Sequence, residues 1–244
     1  MIVSLPGRRL ASSKKVSYPR SQVKALTLCI AVKCFSLLRG PQVVCCYDAQ
    51  VGNDYESTES EIKWHLLSPH ICTMFSGPLN PARDLIKLYK KAFRKTRVPR
   101  IGDYRDVLWK PMQDFTDMNQ NKPYLESTDV QLLAVALVEG SFRILSLDAN
   151  GPRDHPHFGA IGTGGDSATA MLRWRKPTDR THLGPAEYYA YEAKKLGEVS
   201  PHVGKRTYMK VLSAERNLGV KNLKAEEIVE LEEKFKRLGP QPYS

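Results

Sequence analysis

Apolar residues recur along the chain in two rhythms, and the points where one gives way to the other divide it into elements. Thr27–Cys34 and Gln42–Tyr47 are nearly unbroken runs of Val, Ile, Leu, Ala and Cys, the composition of strands buried on both faces. A turn around Arg39, Gly40 and Pro41 joins them as a hairpin. A second pair of strands is predicted at Glu61–Leu67 and His70–Phe75, divided by Ser68 and Pro69 and ended by Ser76, Gly77 and Pro78. From Asn80 to Arg94 the period changes: Leu85, Leu88, Tyr89, Ala92 and Phe93 fall at helical spacing, with Asn80 as a cap and Pro81 in the first turn. Residues 95–128 are rich in charge, Pro and Asn and read as an insertion or rim holding one helix near Tyr104–Phe115. Asp129–Val138 and Phe142–Asp148 form paired strands about a turn at Glu139, Gly140 and Ser141. Helices follow at Asp166–Trp174 and Ala186–Leu196, then a final strand at Arg206–Leu212. Lys224–Leu238 alternates Glu and Lys over an Ile, Val, Leu and Phe stripe, a helix ended by Gly239 and Pro240.

The order is strands, helices, strands, helices, strand, which suits two sheets packed face to face with helices outside. A chain of 244 residues with 41 % hydrophobic content is long and apolar enough for one large core. The formal net charge of +11 suggests an anionic partner until its distribution is examined. Residues 1–25 contain Arg8, Arg9, Lys14, Lys15, Arg20 and Lys24 and no acid, so six of the eleven charges belong to this leader and +5 remains for the rest. That balance does not favour a nucleic-acid-binding protein, which would show a steep salt dependence. Arg8 and Arg9 before the apolar run Ala25–Leu38 imitate an export signal, but Lys33 interrupts the run and no small-residue cleavage site follows. The run is also too short to span a bilayer. Cys29, Cys34, Cys45, Cys46 and Cys72 lie in strand-like stretches without the paired spacing of a zinc site. They read as reduced core residues, with Cys45 and Cys46 on opposite faces of one strand. A cytoplasmic protein without a membrane association is the expectation.

The opening strand Thr27–Val32, the second strand Val43–Asp48, Lys63 and the pair Ser76–Gly77 resemble the proteasome β-subunit family and its bacterial relatives, including the smaller two-ring proteases. Gly162, Thr163 and Gly164 before a helix, and Ser200–Gly204 before the last predicted strand, extend the likeness over most of the chain. The resemblance implies an α+β fold, a four-layer αββα sandwich of two antiparallel sheets flanked by helices. It divides the chain into a basic leader at 1–26, a proteasome-like N-terminal-nucleophile (Ntn) hydrolase domain at 27–218, and a C-terminal helix and tail at 219–244. It further implies a threonine-type hydrolase of peptide or other amide bonds. Thr27 would be the nucleophile, with its own α-amine as the base. Lys63 would favour the neutral amine and the developing alkoxide, and Asp48 would hold that lysine. The Gly77 N–H would stabilise the oxyanion. Thr163 and Ser200 stand at the supporting positions where the family usually carries serine and aspartate. Implied partners are further copies of the chain in a ring, a peptide or protein substrate and an ATP-dependent unfoldase, with no cofactor and no metal.

Three departures accompany the likeness. The linker between the first two strands is longer than the family norm. Ser200 brings no charge. Leu26 stands where self-processing relatives commonly carry glycine, so the expectation is that translation starts at Leu26 from an alternative initiation codon, or that residues 1–26 are otherwise absent from the mature protein. A non-catalytic assembly subunit that keeps the leader is the alternative function. His155 and His157, with Asp154 between Pro152 and Pro156, read as a loop rather than a metal site, since no third ligand is placed by sequence. Gly162–Asp166 resembles a phosphate-binding turn but lacks the lysine of a P-loop, and reads as a strand-to-helix turn. The basic cluster Lys90, Lys91, Arg94, Lys95, Arg97 and Arg100 reads as a solvated helix end, and Trp64, Trp109 and Trp174 read as packing residues.

Overall fold

The computed structural model describes residues 27–49, 51–52, 57–58, 63–94, 103–119, 130–215 and 217–240. The expectations for the leader 1–26, for Glu61 and Asp129 as strand residues, for Lys95, Arg97 and Arg100, and for residues 95–102 and 120–128 of the rim fall outside these residues. So does the end of the tail.

The two opening apolar runs form strands β1 (Leu28–Ser36) and β2 (Gly40–Asp48), an antiparallel hairpin. The short segments β3 (Val51–Gly52) and β4 (Ser57–Thr58) pair with each other. The next hairpin is β5 (Trp64–Ser68) with β6 (Ile71–Ser76), followed by helices α1 (Leu79–Phe93) and α2 (Tyr104–Asn119). Then come β7 (Gln131–Val138), β8 (Ser141–Asp148), β9 (Gly151–His155) and β10 (Phe158–Gly162), helices α3 (Gly165–Arg175) and α4 (Leu183–Gly197), strands β11 (Thr207–Ala214) and β12 (Leu218–Asn222), and helix α5 (Ala225–Leu238). One five-stranded sheet has the order β10-β1-β2-β11-β12 and the other β5-β6-β7-β8-β9, with every pairing antiparallel.

Alternation within the central strands shows why both sheets are buried on both faces. Leu28, Ile30, Val32, Val44 and Cys46 point outward to α3 and α4, in a cluster that Ile228, Leu231 and Phe235 of α5 join from its rim. Cys29, Ala31, Val43 and Cys45 point inward, where they meet Cys72, Met74, Leu133 and Val135 of the second sheet. The outward face of that second sheet, Ile71, Phe75, Leu132 and Ala134 among others, packs on Leu85, Tyr89, Leu108 and Met112 of α1 and α2. Three apolar layers between four layers of structure make the expected αββα sandwich. All five cysteines are free and buried, with Cys45 and Cys46 in different layers as the strand period requires.

Several predicted details change. Helix α1 begins at Leu79 with Pro78 as its N-cap, so Asn80 lies inside the first turn rather than capping it. Proline is tolerated anywhere in that turn, where N–H groups have no helical partner, so Pro81 did not fix the start. The strand at Thr207–Ala214 is not the last, because β12 pairs with it at the sheet edge. His155 is not in a loop: it ends β9 and lies 2.9 Å from Ser146 Oγ through its Nε2. The chain then passes from one sheet to the other across only Pro156 and His157. Trp174 is not a packing residue, being 66 % exposed with the Arg175 guanidinium 4.5 Å from its ring centroid.

Helix α4 carries a buried carboxylate, Glu192, which accepts two hydrogen bonds from Arg175 of α3 at 2.6 and 2.7 Å and one from the Tyr188 hydroxyl at 3.3 Å. Arg175→Met is expected to destabilise the protein by about 3 kcal/mol in urea unfolding, because it strands that buried charge. His65, stacked on Phe75, is pushed by burial down to about 4. The folded state therefore binds fewer protons than the unfolded chain between pH 4 and 6.5, and stability present above pH 6.5 is lost as pH falls through that window. His65→Phe is expected to shrink the drop in melting temperature between pH 7 and pH 5.

Candidate active site

At one end of the sandwich the first residue before β1, the last of β2 and the residue before β5 converge. Asp48 is wholly buried, and each of its carboxylate oxygens is engaged. Oδ1 accepts from the Thr27 hydroxyl at 2.6 Å, from the Leu28 N–H at 3.1 Å and from Lys63 Nζ at 2.6 Å. Oδ2 accepts from the Gly204 N–H at 2.7 Å. Lys63 also donates to Thr27 Oγ1, so hydroxyl, carboxylate and ammonium form a closed triangle. Thr27 and Lys63 are each 1 % exposed. A buried ion pair needs further hydrogen bonds to offset its desolvation, and the backbone N–H groups of Leu28 and Gly204 supply them to the carboxylate here.

The Thr27 nitrogen donates to Thr163 Oγ1 at 3.4 Å. Thr163 is placed there by Gly162, the last residue of β10, which pairs with Leu28 and has φ +95°. A Cβ added at Gly162 would overlap the carbonyl oxygen of Thr27 and come within 2.9 Å of Ser76 Oγ, so this position requires glycine. The Gly162 N–H donates to Gln131 Oε1 at 3.1 Å. Beyond the turn, the start of α3 meets the end of α4: a Cβ at Gly164 would lie 3.0 Å from the Gly197 carbonyl oxygen. Gly197 in turn is pressed against the Leu28 side chain. Buried Lys194 of α4 pairs with Glu198 and donates to the Lys205 carbonyl at 2.8 Å, which holds the segment that delivers Gly204 to Asp48.

Four of the six residues singled out from sequence are thus joined directly: Thr27, Asp48, Lys63 and Thr163. Gly77 follows Ser76 at the end of β6 with φ +119°, a left-handed backbone that glycine favours. Ser76 Oγ is buried without a hydrogen-bond partner among the described residues. Ser200 is not joined to Thr27. Its N–H donates to the Gly197 carbonyl and its carbonyl accepts from Val203, so it shapes the turn, and the backbone of Gly204 makes the contact to Asp48 instead. Gln131 and the backbone donors of Leu28 and Gly204 were not foreseen. Cys29, the next inward residue of β1 after Thr27, donates to the Phe75 carbonyl at 3.3 Å, and burial pushes its thiol well above the usual range. It is held as a neutral thiol, a poor nucleophile.

This arrangement presents one buried hydroxyl to a cation and a carboxylate, with a second hydroxyl at the nitrogen of the same residue. Such a grouping stabilises charge developing on the threonine oxygen. No family model matches the chain, and no curated protein matches it in sequence. Among solved structures, Anbu (ancestral beta-subunit) from Yersinia bercovieri superposes with a TM-score of 0.67 at 12 % identity, over 86 % of this chain and 94 % of that one. At that identity the likeness speaks for the fold alone: the chain shares the α+β sandwich fold of this ancestral beta-subunit.

Proposed function

We propose that the chain is a threonine-type hydrolase of peptide or other amide bonds, acting when Thr27 carries a free α-amine. The observation that carries the reading is the contact of Thr27 Oγ1 with both Lys63 and Asp48 at the head of β1. In the proposed reaction the Oγ attacks the amide carbonyl and its proton passes to the α-amine. The C–N bond then breaks, the departing amine takes that proton, and an ester on Thr27 remains. Water, deprotonated by the same amine, attacks the ester, the acyl C–Oγ bond breaks, and Thr27 Oγ takes the proton from the ammonium as the acid leaves, which restores the hydroxyl and the free amine. Lys63 stabilises the alkoxide and disfavours protonation of the neighbouring amine, while Asp48 fixes Lys63 and the hydroxyl. The Gly77 N–H would receive the oxyanion, and Thr163 would orient the amine. Ser200 has a supporting role only through the backbone turn.

Within the fold of an ancestral beta-subunit, self-association into a ring is the proposed assembly, with a protein or peptide substrate and an ATP-dependent unfoldase as partners. Among the described residues no helix is long and apolar enough to cross a membrane, and cytoplasmic location is part of the proposal. A second reading, a non-catalytic assembly subunit, is favoured by one observation: with residues 1–26 attached, the Thr27 nitrogen is an amide that donates to Thr163 and cannot act as a base.

The test is a chain whose first residue is Thr27, assayed on fluorogenic peptide amides beside the full chain. Turnover by the Thr27-first chain, absent from the full chain and from Thr27→Ala, is expected, whereas equal turnover after Thr27→Ala would overturn the reading. The rate should fall below a pH of about 7.7–8.0, the reference range of an α-amine, or below a lower value set by Lys63, because the protonated amine is no base. Lys63→Met should reduce turnover by on the order of 1000-fold and destabilise the fold by about 3–5 kcal/mol through the stranded Asp48, measured by initial rates and by urea unfolding.

A further inference from the structure

Gln131 lies in the second sheet, at the first position of β7, where it pairs with Ser76 of β6. Its backbone thus borders the strand end that leads into Gly77. Its side chain crosses to the other sheet, where Oε1 accepts the N–H of Gly162 at 3.1 Å. Gly162 lies close against Thr27 and Ser76, where an added methyl group would collide. It is followed directly by Thr163, whose Oγ1 receives the Thr27 N–H. One side chain therefore ties the end of β6 to the turn that meets the Thr27 nitrogen. Inside the sandwich the two sheets meet through an apolar layer, which resists separation but is non-directional. Directional links are the hydrogen bonds from Cys29 Sγ to the Phe75 carbonyl, from the Leu218 N–H to the Pro69 carbonyl and, at the turn that meets the Thr27 nitrogen, from the Gly162 N–H to Gln131.

We infer that Gln131 is a positioning residue that holds Thr163 against the Thr27 nitrogen from across the sandwich, and so keeps the amine acceptor in register with the Gly77 strand end. Its catalytic meaning rests on the proposed hydrolase reading; its geometric meaning does not. Loss of the Gln131 acceptor frees the Gly162 N–H and lets Thr163 drift, while the Thr27–Lys63–Asp48 triangle stays intact, because none of its bonds involves Gln131. A displacement of about 1 Å at such a group is enough to lower turnover by about 100-fold without altering how substrate binds.

The experiment compares Gln131→Met, which keeps length and removes the acceptor, with Gln131→Glu, which keeps an acceptor oxygen. In the full chain, residue-resolved amide exchange is expected to accelerate about fivefold at Gly162 in Gln131→Met, and also at Thr27, which Gln131 does not touch. Gln131→Glu is expected to protect both. In the Thr27-first chain, Gln131→Met is expected to lower kcat by about 10- to 100-fold with KM within about twofold, and Gln131→Glu to recover most of the loss. Unchanged exchange at Gly162 and Thr27 in Gln131→Met overturns the inference. So does a loss of kcat, KM and melting temperature together in both variants, which marks a merely structural role. If the Thr27-first chain is inactive before any change at Gln131, the hydrolase reading fails, and the exchange at Thr27 alone still decides whether Gln131 positions Thr163.

Discussion

Two opposite charges are withdrawn from water at the end of β2, and the rest of the site follows from what that withdrawal demands. Moving an ion into a protein interior costs several kcal/mol even after relaxation, and a partner ion offsets this only if the other lone pairs and protons are also satisfied. Lys63 and Asp48 are 2.6 Å apart and almost wholly buried. Completing the carboxylate requires the Thr27 hydroxyl, the Leu28 N–H and the Gly204 N–H, which come from the head of β1 and from the segment after α4. The chain must therefore bring β1, β2, the start of β5 and the α4–β11 connection to one point.

Steric constraints set how closely these parts approach. Leu28 packs on Gly197, Gly197 on Gly164, and Gly162 on the Thr27 carbonyl, so glycine is used wherever a helix end or turn must reach the backbone of β1. Buried Lys194 completes the arrangement by binding the Lys205 carbonyl and pairing with Glu198. The ionic requirement fixes which residues meet, and the glycine contacts fix the distance at which Thr163 meets the Thr27 nitrogen.

Strands covered on both faces announce themselves by continuous apolar composition, which is why β1, β2, β6 and β7 were legible in the sequence. The missed strands are of the opposite kind. Gly151–His155 and Leu218–Asn222 lie at sheet edges, and their Pro, Arg, Asp, Lys and Asn residues reflect exposure on the open side. β10 is also an edge strand, with only five residues and two glycines. Thr27, Asp48 and Lys63, singled out by their order and spacing along the chain, are brought together because the register of the hairpin sets Cys29 opposite Tyr47 and leaves Thr27 beside Asp48. The donors from Leu28 and Gly204 are backbone groups, which no residue type signals. Gln131 gives no local cue either, since its partner is 31 residues away in the other sheet. Ser200 was singled out for its position in a motif, but Asp48 is served by the backbone four residues later.

In the proposed reaction the hydroxyl and the amine of Thr27 act together. An α′,β′-epoxyketone tests this directly, because it forms a stable ring only with an oxygen and a nitrogen of one N-terminal residue. Peptide mapping by mass spectrometry after treating the Thr27-first chain is predicted to place one doubly attached adduct on Thr27, blocked by Thr27→Ala. Recovery of Thr27 unmodified while the fold is intact would contradict the account.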